Sequence, residues 1–256
     1  MIKMRNYALM LAAITMLLAC NSETYLTKQC ERRLNSMYEA LRDNDPNSFF
    51  KTESKYYAWY NSLSSDKQSL ITEIEEKWTH SGRAGGYFKG MQMSGEADAR
   101  MIRFVCDFAP DETSAAIQKL EDIMGLQLAY KNVYGHYADT FDVLRHFYNN
   151  GYIIDYNTQV RIAVKEKLFT GRRDFGISSI EYIPTNNMNK IEMRSFTKNI
   201  WGVQVPLFEA YIPWRSLLAE YDKDIVESIV RVMDKAGCYP GLMVGNMNNR
   251  IAGNWE

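Results

Sequence analysis

A change of periodicity part-way along the chain limits the fold more than any other feature. Between Leu26 and Tyr130 apolar residues recur at three- and four-residue steps, whereas beyond Gly151 they gather in short runs rich in β-branched and aromatic side chains. The first spacing lines one face of an α-helix, and the second kind of run builds strands. Helices first and strands later predict an α+β fold, with an N-terminal helical domain followed by a long helix packed on a small antiparallel sheet.

The helical half divides at its turn chemistry. Leu26, Cys30, Leu34, Met37, Tyr38 and Leu41 form one stripe, which Asp43-Asn44-Asp45-Pro46 ends. A second helix is expected through Phe49, Phe50, Tyr57 and Tyr60. A third carries Leu70, Ile71, Ile74 and Trp78 after Ser65 and Gln68, which have capping-box spacing. Gly82 to Gly95 reads as the connection to a fourth helix, Ser94 to Phe108, stopped before Pro110. A long helix then follows from Asp111 through Ile117, Leu120, Ile123 and Leu128, and its Gly125 suggests close packing of another element. These breaks divide the chain into residues 1–19, 20–110 and 111–256.

Within the third part, a short helix is expected from Thr140 to Asn149. Strands are expected at Tyr152 to Tyr156, Gln159 to Val164, Ile177 to Ile183, Lys190 to Phe196 and Val203 to Ile212. Pro184-Thr185-Asn186-Asn187 reads as a hairpin turn, and Pro206 marks its strand as an edge or a bulge. A helix from Pro213 to Lys235, broken at Asp222, leads into a Gly/Asn-rich end.

At the N-terminus, Lys3 and Arg5 precede an apolar run from Tyr7 to Leu18. The end of this run and the two residues after it, Leu17-Leu18-Ala19-Cys20, resemble the lipobox of bacterial lipoproteins. That resemblance implies cleavage between Ala19 and Cys20, a diacylglyceryl thioether on Cys20 and a further amide-linked acyl chain. Each buried methylene contributes about 0.8 kcal/mol, so two or three chains hold a protein on a membrane without a spanning helix. The implied partner is a membrane through the lipid, and the implied location is the cell envelope, in the outer membrane, on its periplasmic or its surface face.

Loss of residues 1–19 would leave 28 basic against 31 acidic side chains, a formal charge of −3. Such a balance does not recommend nucleic acid as a partner, which calls for a basic patch or stripe. The basic cluster at Lys165, Lys167, Arg172 and Arg173 is interrupted by Glu166 and closed by Asp174, so it reads as a solvated face before a phosphate contact. Beyond Cys20 the cysteines are Cys30, Cys106 and Cys238, an odd number that permits at most one internal disulfide whose pairing spacing does not reveal. Cys106 lies on an apolar helical face and reads as a buried thiol.

The only histidines are His80, His136 and His146; His136 stands near Asp139 and Asp142, but paired ligand spacing of the CxxC or HxxxH kind is absent, so no metal is expected. Gly82-Arg83-Ala84-Gly85-Gly86 lacks the Lys-Ser/Thr ending of a phosphate loop. There is no Gly-x-Ser-x-Gly elbow, and Glu75 and Glu76 are adjacent on a helix and point apart. No catalytic residues and no cofactors are assigned. Trp201, Tyr211 and Trp214 are the candidates for ligand contact, since aromatic side chains offer large area at low entropic cost.

Ala116-Ile117-Gln118-Lys119-Leu120, Gln127-Leu128-Ala129-Tyr130, Tyr134-Gly135-His136-Tyr137 and Phe141-Asp142-Val143-Leu144 together resemble the helix-to-loop segment of type IV pilin-like and pseudopilin proteins. With Val205-Pro206-Leu207-Phe208, Tyr239-Pro240-Gly241-Leu242 and Ala252-Gly253-Asn254-Trp255-Glu256, residues 113–256 are similar to a group of membrane-anchored envelope proteins of Bacteroidota. The sequence therefore suggests a lipid-anchored envelope protein with a non-enzymatic structural or binding role and an envelope protein or glycan as partner. The alternatives are an accessory component of a secretion or surface-assembly system, which the pilin resemblance implies, and a periplasmic hydrolase.

Overall fold

The computed structural model describes residues 23–80, 97–172, 175–184, 189–247 and 250–255. Leu17, Ala19 and Cys20 of the lipobox lie outside them, as do residues 81–96 of the expected connection, Arg173 and Asp174, and most of the turn after Pro184. The fold is α+β. The chain divides into two compact units at Ala97/Asp98, so the fourth helix belongs with the second unit and not with the helical domain, whose expected end was residue 110.

In the first unit, α1 (residues 23–42), α2 (Pro46–Asn61) and α3 (Ser65–His80) surround one cluster of Leu26, Cys30, Leu34, Tyr56 and Ile71, with Trp59, Ile74 and Trp78 against it. The Asp45 carboxylate accepts from Ser48 N and Pro46 opens α2, which together satisfy and preset the first turn. Tyr56, which lies outside the residues that mark this helix in the sequence, is its buried tyrosine; its hydroxyl donates to Glu75 and lies 3.8 Å from Cys30 Sγ. Gln68 does not complete a capping box, because its amide donates to Tyr60 O at 3.0 Å and ties α3 to α2.

The second unit begins with α4 (Ala97–Phe108), α5 (Pro110–Tyr134) and α6 (Phe141–Asn150). A small hairpin, β1 (Tyr152–Ile154) with β2 (Arg161–Ala163), leads into the one-turn α7 (Val164–Lys167). The main sheet has the antiparallel order β3-β4-β5-β6, from Glu192–Ile200, Val203–Pro213, Gly241–Met247 and Arg250–Gly253. Between β4 and β5 come α8 (Trp214–Leu217) and α9 (Lys223–Ala236), separated at Asp222 as expected. The long helix α5 lies against β4, β5 and β6. Leu120, Ile123 and Leu126 from α5 are fully buried, as are Phe208, Ala210 and Ile212 from β4 and Leu242 and Val244 from β5.

Two strand expectations change. Ile177 to Ile183 forms a 3-10 turn, Ile177–Ser179, and only an isolated bridge between Tyr182 and Lys190. The Gly/Asn-rich end instead supplies β5 and β6. β4 is internal to the sheet, yet Pro206 lies where only β3 pairs with it, since β5 reaches β4 only from Glu209 to Pro213. The missing N–H of proline therefore interrupts no ladder on that side. Gly125 sits under the Phe169 ring, where a Cβ would stand 3.5 Å from Cζ.

Candidate ligand cleft

The β3–β4 register builds the candidate site. Trp201 and Gly202 form the two-residue turn, both with positive φ, and fix Ile200 opposite Val203, Arg194 opposite Glu209 and Glu192 opposite Tyr211. Side chains alternate across a strand. Because Phe208, Ala210 and Ile212 point into the core, Glu209 and Tyr211 rise from the opposite face beside Arg194 and Glu192. Tyr239, just ahead of β5, lays its ring 5.1 Å from that of Tyr211. Glu192, Met193, Arg194, Tyr211 and Tyr239 line a cavity of about 430 Å³.

Arg194 and Glu209 offset each other, and Glu192 adds a second carboxylate to the cleft. Arg194 directs Nε and Nη2 to Glu209 Oε2 at 2.8 and 2.6 Å, and Nη2 to the Tyr211 hydroxyl at 3.0 Å; that hydroxyl in turn donates to Glu209. The guanidinium also lies 5.5 Å from the centres of the Tyr211 and Phe196 rings. Burial, then the hydrogen bond to Glu209, pushes the Tyr211 phenol up to about 12. Burial, then the Glu192 charge, pushes Tyr239 up to about 12 as well. Both phenols are thus neutral hydroxyls across the physiological range.

A second cavity, about 260 Å³, is lined by Asp139, Asp142, Arg145, Glu181, Ile191 and Met193 among others. Its charges answer one another: Arg145 bridges Asp142 and Glu181, and Lys190 reaches Glu181 at 3.2 Å. His136 turns from these carboxylates to the Tyr137 carbonyl and the Tyr130 ring, His146 meets Asn150, and His80 meets the Glu76 carbonyl. Among the described residues no three His, Cys, Asp or Glu side chains gather as a metal site.

The three aromatic candidates do not converge. Trp214 is fully buried in the core, Trp201 is 99% exposed at the hairpin tip, and only Tyr211 lines the cleft. Trp214 is too large and apolar to leave uncovered where β4 turns into α8, so it packs inward and is removed as a ligand contact. Cys30, Cys106 and Cys238 form no disulfide among the described residues; burial raises both Cys30 and Cys106 to about 11, though Cys106 is only half-buried. The basic cluster turns inward in part, with Arg172 on the buried Asp122 and Lys167 on Asp155 at 2.7 Å.

Sequence reasoning missed Arg194, Glu192 and Tyr239. For the first two a signal existed: a two-residue turn at Trp201-Gly202 fixes the whole register and sets Arg194 against Glu209. Tyr239 comes from a loop between α9 and β5, and no local pattern announces its approach to Tyr211. No family model, no curated protein and no solved structure matches this chain.

Proposed function

We propose that the chain is a lipid-anchored protein of the cell envelope with a non-enzymatic binding role, and that the Tyr211–Tyr239 cleft receives a glycan of that envelope. The anchor rests on the lipobox resemblance at Leu17-Leu18-Ala19-Cys20. The binding role rests on one observation, the joining of the two neutral phenols of Tyr211 and Tyr239, whose rings form its aromatic wall, to the Arg194–Glu209 ion pair. Aromatic faces cover the apolar faces of a sugar ring, while the hydroxyls, the remaining guanidinium donors and the Glu192 carboxylate meet its hydroxyl groups. With Glu192 and Glu209 beside one Arg194, the cleft disfavours a phosphate or other strongly anionic ligand. Tethering through Cys20 would hold the cleft at high effective concentration near its ligand.

Two measurements test the two parts separately. Expressed in a bacterial host with a labelled fatty acid, the wild-type chain should incorporate label and Cys20→Ser should not; equal labelling would overturn the anchor. Retention on isolated envelope polysaccharide should weaken about tenfold or more, or about 1.4 kcal/mol, in Tyr239→Ala and Tyr211→Ala. Unchanged retention in both variants would rule out the cleft.

A further inference from the structure

The β3–β4 ribbon continues beyond its last register pair with β5, Glu209 with Gly245, so from Phe196/Leu207 to Ile200/Val203 the two strands pair only with each other among the described residues. On the face that carries Arg194 and Tyr211, this extension presents the pairs Phe196/Leu207, Lys198/Val205 and Ile200/Val203. Phe196 and Ile200 are more than one-third exposed, Val203 is 63% exposed, and Trp201 at the tip is 99% exposed. Residues 195–208 contain no carboxylate, and Lys198 is their only charge.

The turn is built against local preference. Trp201 has φ of 55° and Gly202 of 86°, a pair of positive values that Asn-Gly or Gly-Gly would adopt with less strain. Gly202 N donates to Asn199 Oδ1 at 2.8 Å, so the turn satisfies this amide internally. A bulky indole held in a strained conformation, in contact with solvent on all sides, points to use of the side chain outside the protein.

We propose that Trp201, with Ile200 and Val203, is a wedge that enters the interfacial layer of a lipid bilayer, giving the protein a membrane contact separate from Cys20. Tryptophan favours the headgroup level, where its ring is partly apolar and its N–H stays hydrated. Lys198, two residues back on the same face, meets the phosphates of an anionic leaflet, and the absence of carboxylates over residues 195–208 removes the repulsion such a leaflet would exert. Penetration stops at the tip, because among the described residues no third strand pairs with the ribbon there, and hydrocarbon cannot satisfy edge amides. The β1–β2 hairpin also exposes apolar side chains, Ile154 and Tyr156, but its turn is made of the exposed polar residues Asn157, Thr158 and Gln159 and carries no tryptophan.

The test uses the full chain, purified with whatever acylation it carries and mixed with vesicles of phosphatidylethanolamine and phosphatidylglycerol with brominated acyl chains. Wild-type tryptophan emission should be quenched by bromine and the quenched component lost in W201F, which keeps its fold because the replaced side chain contacts only solvent. I200S/V203S, with Trp201 retained, should reduce the same quenching. Equal quenching in wild type and W201F would overturn the wedge. So would a lipid-free dimer that W201F dissolves, since the tip would then be occupied by a second copy. Acyl labelling of Cys20 reads the anchor independently, so failure of one leaves the other standing.

Discussion

Gln127 illustrates how much a single buried polar side chain can hold. Its amide donates to Ala138 O and accepts from Ala138 N, both at 2.9 Å, and so straps the loop after α5 back onto the helix. Gln127→Leu would leave both backbone groups buried without partners, at about 1–3 kcal/mol for each. A loss of roughly 3 kcal/mol in urea unfolding is the expected outcome, and a change below about 1 kcal/mol would show that the strap is dispensable. Asp155 provides a pH-dependent counterpart. The hydrogen bond from Lys167, followed by those from Thr158, holds its carboxyl down at about 2, below its ordinary 3.8. A folded-state value below the unfolded one gives stability that is full above about pH 4 and lost as pH falls toward about 2. Melting of the wild type should therefore decline more steeply across that window than melting of Asp155→Asn. Neither role was legible in the sequence: Gln127 stood within a helical motif and Asp155 within an expected strand, and Ala138 and Lys167 are 11 and 12 residues away, although Thr158, the other partner of Asp155, is only three.

At the scale of elements, local chemistry set several boundaries, though the capping-box spacing of Ser65 and Gln68 served a different contact. Thr140 caps α6 through Val143 N, and Asp222 caps α9 by accepting from Asp224 N at 2.9 Å and Ile225 N at 3.2 Å. Asp222→Ala should cost about 1 kcal/mol, measurable as a shift of the urea midpoint at constant slope. β-Propensity was a poorer guide. Ile177 to Ile183 carries the apolar content of a strand, yet Ile180 and Ile183 are buried beneath a 3-10 turn. Gly241 to Met247 looks like a terminal tail, and it is a strand because β4 and β6 flank it on both sides. Strand formation depends on neighbours across the sheet, which a glycine-rich segment does not advertise.

For the whole molecule, two compact units mean two cores and two sets of consequences. Ile71 is fully buried in the cluster of the first unit, and Phe208 is fully buried between the sheet and Tyr137 in the second. Ile71→Ala should lower the transition of residues 23–80 by about 2–5 kcal/mol, and Phe208→Ala that of residues 98–256 by about 3–5 kcal/mol. Trp59 and Trp78 report the first unit, and Trp201, Trp214 and Trp255 the second. The amino-acid sequence alone determined the α+β class, the order of the helices and the break at Asp222, because periodicity and caps act over a few residues. Tertiary structure decided that Trp214 packs in the core while Tyr211 faces outward, that Tyr239 and Arg194 join Tyr211, and that the C-terminal segment becomes two strands. Each of those outcomes depends on which distant segment covers which face, and covering a face is where burial energy is gained.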